Sequence, residues 1–193
     1  MNYREEIAAY RPRGEEEAAD QALILSMIEL FPDTVLTREC LAGHITSSGF
    51  IVNETRDKTL MAWHNIYRSW AWTGGHADGV PDLLAVALRE AREETGIGRD
   101  RLELLAPSGS LLPVPADADG HYIPPCPSKG EDEHRHFDMR FVFLFDGDPR
   151  VVIDRAESDG FRWVTLDELA SMPDFRRVAP KIRAALSERE IAF

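Results

Sequence analysis

The sequence predicts an α/β (α+β) domain with a helical N-terminal extension, and three features carry that reading. Apolar residues recur at helical spacing before Phe31, β-prone segments separated by turn residues begin at His44, and a glycine loop then leads into a second periodic helix. With 193 residues and 44% hydrophobic content, the chain can bury a single core. The division expected is residues 1–38 as an extension packed on the domain and residues 39–193 as the domain itself.

In chain order, Asn2 to Tyr10 predicts a short helix that Pro12 and Gly14 break. A longer helix follows the acidic Glu15 to Glu17 and places Ala18, Ala22, Leu25 and Met27 or Ile28 at three- and four-residue intervals. Ile45 to Val52, Thr59 to Trp63 and Trp70 to Thr73 read as strands, with Asn53 to Lys58 as a hairpin connection. Gly74 to Gly79 reads as a loop, and Pro81 suits the first turn of a helix that runs to Thr95 before Gly96. Leu102 to Leu105 and Ser110 to Val114 are further strand candidates, whereas the Pro-, Gly- and Asp-rich Pro115 to Glu133 reads as a long exposed loop. Phe137, Met139, Phe141, Phe143 and Phe145 alternate and so share one strand face, opposite His136, Asp138 and Arg140. Phe161 to Val164 predicts another strand, Thr165 and Glu168 have capping-box spacing, and Arg176 to Arg189 predicts a last helix.

Composition excludes several classes of function. The net charge of −12 opposes non-specific association with a nucleic-acid polymer or an anionic membrane, since both rely on basic patches. The apolar stretch Ala22 to Phe31 is far shorter than the roughly 20 residues that cross a bilayer. Neither it nor the N-terminus has the pattern of a span or a secretory signal, so the default expectation is a cytoplasmic protein. Cys40 and Cys126 form no Cys-x-x-Cys pair and are expected to be free thiols. An acidic protein that handles phosphate needs metal ions or a few aimed cations.

At about 100° per helical residue, Glu90, Glu93 and Glu94 fall within one arc beside the apolar face made by Leu84, Ala87, Leu88 and Ala91. Like charges at this spacing weaken a helix, and a hard divalent cation such as Mg²⁺ prefers such oxygen-rich clusters. Geometry alone leaves two readings open: a metal site, or a solvated acidic face near a helix C-terminus.

Gly75, thirteen further residues, and then Arg89-Glu90-Ala91-Arg92-Glu93-Glu94-Thr95-Gly96-Ile97 resemble the Nudix box, Gly-x5-Glu-x7-Arg-Glu-U-x-Glu-Glu-x-Gly-U with U apolar. The resemblance covers 23 residues and eight of the nine defining positions. It implies a Nudix-type α/β/α sandwich with a mixed sheet, and Mg²⁺, with Mn²⁺ as the alternative, held by Glu90, Glu93, Glu94 and the Gly75 carbonyl. Glu93 and Glu94 then serve the chemistry as well. The departure is Pro81 at the first glutamate position, which in the family braces the box arginine; Asp82 or Asp78 is expected to brace Arg89 instead. Relatives often take a general base from a loop before an aromatic-bearing strand. Glu157, six residues before Trp163, is the candidate here, with an exposed loop acid as its other reading and Asp159 as a weaker choice.

For the substrate, Trp72 is the aromatic candidate, although core packing competes for the neighbouring Trp63, Tyr67 and Trp70. Arg68 and Arg140 are candidates for phosphate, and His76 and His136 for substrate contact. The row His134-x-His136-x-Asp138 shares one strand face. It is expected to form a polar substrate-facing wall rather than an exposed face or a zinc site, since no fourth ligand is evident. The expected partner is a small-molecule diphosphate, such as a nucleoside diphosphate derivative, and a homodimer is compatible but not required. Two rivals within the fold are an isoprenyl-diphosphate isomerase, disfavoured by the glutamate set, and a non-catalytic nucleotide sensor.

Overall fold

The computed structural model describes residues 3–64, 68–105, 117–126, 132–147 and 158–190. Helices α1 (Tyr3–Ala9) and α2 (Glu15–Leu30) precede β1 (His44–Val52), β2 (Lys58–His64), β3 (Ser69–Ala71) and β4 (Thr73–His76). Then come α3 (Leu83–Thr95), β5 (Leu102–Leu104), β6 (Asp117–Ile123), β7 (His134–Phe145), β8 (Ser158–Thr165), α4 (Leu166–Ser171) and α5 (Ala179–Glu190). The eight strands form one mixed sheet. At its centre β1 and β7 run parallel, in register from His44 opposite His136 to Val52 opposite Leu144. Antiparallel neighbours flank them: β4 and β2 on β1, β6 and β5 on β7.

Strand alternation sorts the core into two layers. The odd-numbered residues of β7 from Phe137 to Phe145 are buried together with Leu83, Ala87, Leu88 and Ala91 of α3. Phe50, Val52 and Val142, of opposite parity, pack instead with Leu166 and Leu169 of α4 and with Ile182 and Leu186 of α5. Helices therefore cover both faces, giving an α/β/α sandwich. Ile7, Ile24, Met27 and Ile28 of the N-terminal helices join the α3-side core. Among the described residues no helix is long and apolar enough to cross a membrane. Cys40 and Cys126 are free thiols.

Three elements differ from expectation. The segment Pro115 to Glu133, read as a loop, contains β6, which pairs antiparallel with the first half of β7. Its aspartates have poor strand propensity, but Asp117 lies directly opposite Arg140 and forms an ion pair with it, so the cross-strand pair overrides the local preference. The glycine segment also begins as strand β4 rather than as a loop, because Gly74 and Gly75 pair with Ser48 and Ser47 of β1. The last helix starts at Ala179, later than Arg176, since a short 3₁₀ turn at Pro173–Phe175 precedes it. The expected strand at Ser110 to Val114 lies outside the described residues.

Candidate active site

The site begins where β4 delivers the chain into α3. A Cβ on Gly74 would sit 2.2 Å from the Ser48 hydroxyl, so only glycine lets β4 approach β1 this closely. A Cβ on Gly75 would sit 2.5 Å from a Glu90 carboxylate oxygen, so the helix glutamate packs directly on the strand backbone. Asp82 caps α3, accepting from the Ala85 amide at 3.0 Å, and Gly96 ends it with φ 73°, in the left-handed region. Pro81 therefore stands just before the cap rather than in the first helical turn.

These constraints set Glu90 and Glu94 against β4. Glu94 accepts from the Gly74 amide at 3.3 Å, Glu90 lies half-buried on Gly75, and Glu93 is exposed. Carboxylate oxygens gathered at one strand end are the donor type that a hard divalent cation such as Mg²⁺ takes. Arg89 is braced by the His76 carbonyl at 3.0 Å and by Glu90 at 2.6 Å. The expected braces are engaged elsewhere: Asp82 caps the helix and Asp78 pairs with Arg38 at 3.1 Å. The carboxylate of Glu90 thus does locally what a glutamate at position 81 would do from the loop.

The other face of the sheet is polar at the start of β1 and β7. His44, His76 and His136, from three different strands, bring one potential donor atom each to within 4.8 Å of one another. Among the described residues these three form a group with the spacing of a metal site, and the glutamates form no such group. Burial pushes His44 below the ordinary histidine range, and burial followed by the charge of Arg38 pushes His76 down to about 4. Burial and the neighbouring His76 hold His136 far below the usual range as well. Each shift favours the neutral imidazole.

Asp138 does not join the histidines, contrary to the row read from the sequence. It accepts from Ser48 at 2.7 Å, from Thr46 at 3.0 Å and from Arg140 at 2.9 Å. Arg140, expected to meet phosphate, is likewise committed elsewhere: it also pairs with Asp117 and Asp119, both at 2.8 Å, and its side chain is only 5% exposed. Burial opposes its charge, but Asp117, Asp138 and Asp119 overcome that penalty and raise its pKa well above the ordinary arginine value. Lys181 of α5 extends the network to Asp117 and, at 2.9 Å, to Glu17 of α2. Sequence reading missed Asp117, Asp119 and Lys181 as a set; the one signal available was an arginine placed on a strand face with no acid on its own strand but Asp138.

Trp72 is half-buried between Phe50 and Phe175, at centroid distances of 5.2 and 5.3 Å, and the Arg140 guanidinium covers its ring at 4.3 Å. That packing restrains it as a stacking surface. Arg68 is exposed at the turn before β3, with φ 50°. Glu157 lies outside the described residues, and so does the side chain of Asp159.

Comparison with known proteins supplies the context. No curated protein matches the chain. Several solved structures share its fold. A C. elegans Ap4A hydrolase is 14% identical with a TM-score of 0.51, over 77% of this chain and 99% of that one. The E. coli dihydroneopterin triphosphate pyrophosphohydrolase is 14% identical with a TM-score of 0.53, over 72% and 92% of the two chains. The NUDIX domain of Shewanella oneidensis NrtR, complexed with ADP ribose, is 16% identical with a TM-score of 0.53, over 82% and 97%. At these identities the likeness establishes the fold. The family model for the NUDIX domain matches residues 43–186, and the chain therefore belongs to the Nudix hydrolase family, enzymes that act on phosphorus-containing acid anhydrides.

Proposed function

We propose that this enzyme is a Mg²⁺-dependent pyrophosphohydrolase that cleaves the diphosphate linkage of a nucleoside diphosphate derivative or a related small organic diphosphate. The observation that carries this reading is the packing of Glu90 and Glu94 on the backbone of Gly74 and Gly75, which gathers two helix carboxylates at one strand end. Ap4A, dihydroneopterin triphosphate and ADP ribose, the compounds attached to the names of the fold neighbours, are small organic phosphates of this class.

In this reading Glu90, Glu93, Glu94 and the Gly75 carbonyl hold the ion. An ion held by these residues would supply charge to neutralise diphosphate oxygens and to lower the pKa of a bound water. Arg89 fixes the Glu90 carboxylate through its 2.6 Å contact, which keeps that oxygen ligand from swinging out to solvent. Glu157 is proposed as the general base that takes the proton of the attacking water. Arg68, Trp72, His76 and His136 are proposed to line the substrate side. Arg140 is no longer assigned there, because its donors are spent on carboxylates.

A panel of nucleotide sugars, dinucleoside polyphosphates and nucleoside triphosphates, incubated with Mg²⁺ and followed by mass analysis of both products, tests the reaction. Hydrolysis at phosphorus is expected for at least one member. A rearranged carbon skeleton without phosphate loss would favour the isomerase, and binding without turnover would favour the sensor. Glu157→Gln is expected to lower turnover by about 10² to 10⁴, the usual contribution of a general base. A change confined to KM would make Glu157 a binding residue instead.

A further inference from the structure

We infer that His44, His76 and His136 form a second metal site, for a borderline transition ion such as Zn²⁺, built from three strands on the face of the sheet opposite α3. His44 opens β1 and His136 is its register partner on the parallel β7. His76 closes β4 and pairs with Thr46, two residues along β1. The three rings lie 4.8 to 5.1 Å apart between centroids, and their donor atoms lie within 4.8 Å of one another. Zinc–nitrogen bonds of about 2.0–2.1 Å in a tetrahedral shell require nitrogens roughly 3.4 Å apart, a gap that small turns of the rings close.

An independent observation comes from His44. Its Nδ1 lies 3.4 Å from the Cys40 carbonyl, which can only accept, so Nδ1 carries the proton and Nε2 carries the lone pair. That Nε2 is buried and has no hydrogen-bond partner. An imidazole oriented through one nitrogen by a carbonyl, with the other nitrogen bare, is the arrangement metal-binding histidines adopt. A metal–nitrogen bond satisfies an atom that is otherwise buried without compensation.

His136 is oriented in the same manner. Nδ1 of His134 donates to the Asp132 carbonyl at 2.8 Å, and in the neutral ring that makes the His134 Nε2 an acceptor. The 3.1 Å contact between the two Nε2 atoms then has His136 donating, so the lone pair of His136 is on Nδ1. Imidazole donors with no carboxylate among them match a borderline ion better than Mg²⁺, which takes oxygen ligands. With three protein ligands, the fourth position is open to water or to a substrate oxygen. The set also supplies what the row His134, His136 and Asp138 lacks: its donors come from three strands rather than from alternate residues of one.

This inference does not depend on the glutamate site, and Co²⁺ separates the two. The whole chain, stripped with chelator and kept in excess Mg²⁺ to fill oxygen-donor positions, is titrated with Co²⁺. Strong visible absorption typical of nitrogen-liganded, low-coordinate Co²⁺ is expected at one ion per chain, with displacement by Zn²⁺. His136→Ala and His76→Gln are expected to weaken it by at least about 10-fold, and Glu94→Gln is expected to retain it. His76 is half-buried, so His76→Gln keeps the test informative if His136→Ala fails to fold, as read by circular dichroism. Weak absorption of the octahedral type alone, or unaltered Co²⁺ binding in a folded histidine variant, overturns the proposal.

Discussion

The two polar regions of this molecule lie on opposite sides of β4 and are assembled in different ways. On one side a single continuous segment, Gly74 to Gly96, carries both the glycines that allow close approach and the glutamates that use it. On the other, two groups assemble across strands, His44, His76 and His136 from β1, β4 and β7, and Asp117, Asp138 and Arg140 from β6 and β7, and both depend on one register of the sheet. The first region is organised by local geometry, in which a cap, a helix and a strand end fix the side chains. The second depends on the whole sheet, and its charges are buried. The helix glutamates can therefore be altered with the fold intact, whereas changes on the sheet face act on stability first.

The largest expected loss of stability follows from that contrast. Arg140→Ala leaves Asp117, Asp119 and Asp138 without their shared cation in a buried setting. Breaking such a network from one side is expected to destabilise by about 3–5 kcal/mol. Urea unfolding measures this, and a loss below about 1 kcal/mol would mean that the network is solvated and that Arg140 is available to substrate after all. A smaller effect is expected at the other region. Asp82→Ala removes the α3 cap, and the expected loss is about 1 kcal/mol. A loss as large as that of Arg140→Ala would show that the loop and helix are not locally organised.

The same contrast governs what the sequence discloses. Phe137 to Phe145 alternate and α3 has a clear apolar face, so these core elements are legible from period alone. The Nudix box is legible because its spacing lies within one segment. Asp117 to Ile123 is not: Asp and Gly signal a turn, and the compensating cation is Arg140, 23 residues from Asp117. The convergence of His44 with His76 and His136 is invisible for the same reason, since no periodicity links residues on different strands. The bracing of Arg89 depends on which carboxylate is within reach, and the Asp residues nearest in sequence have other partners.

The claim that the glutamates carry metal-dependent chemistry is tested most directly by Glu94→Gln, assayed at saturating Mg²⁺ on a substrate that the wild-type enzyme hydrolyses. The amide oxygen of glutamine can still accept from the Gly74 amide, so the fold and the loop are expected to survive while the charge is lost. Metal-assisted stabilisation is worth several kcal/mol, and turnover is expected to fall by roughly 10²-fold or more with unfolding unchanged. Turnover near the wild-type value, in a protein that is folded and saturated with Mg²⁺, would contradict the assignment of this helix as the catalytic metal site.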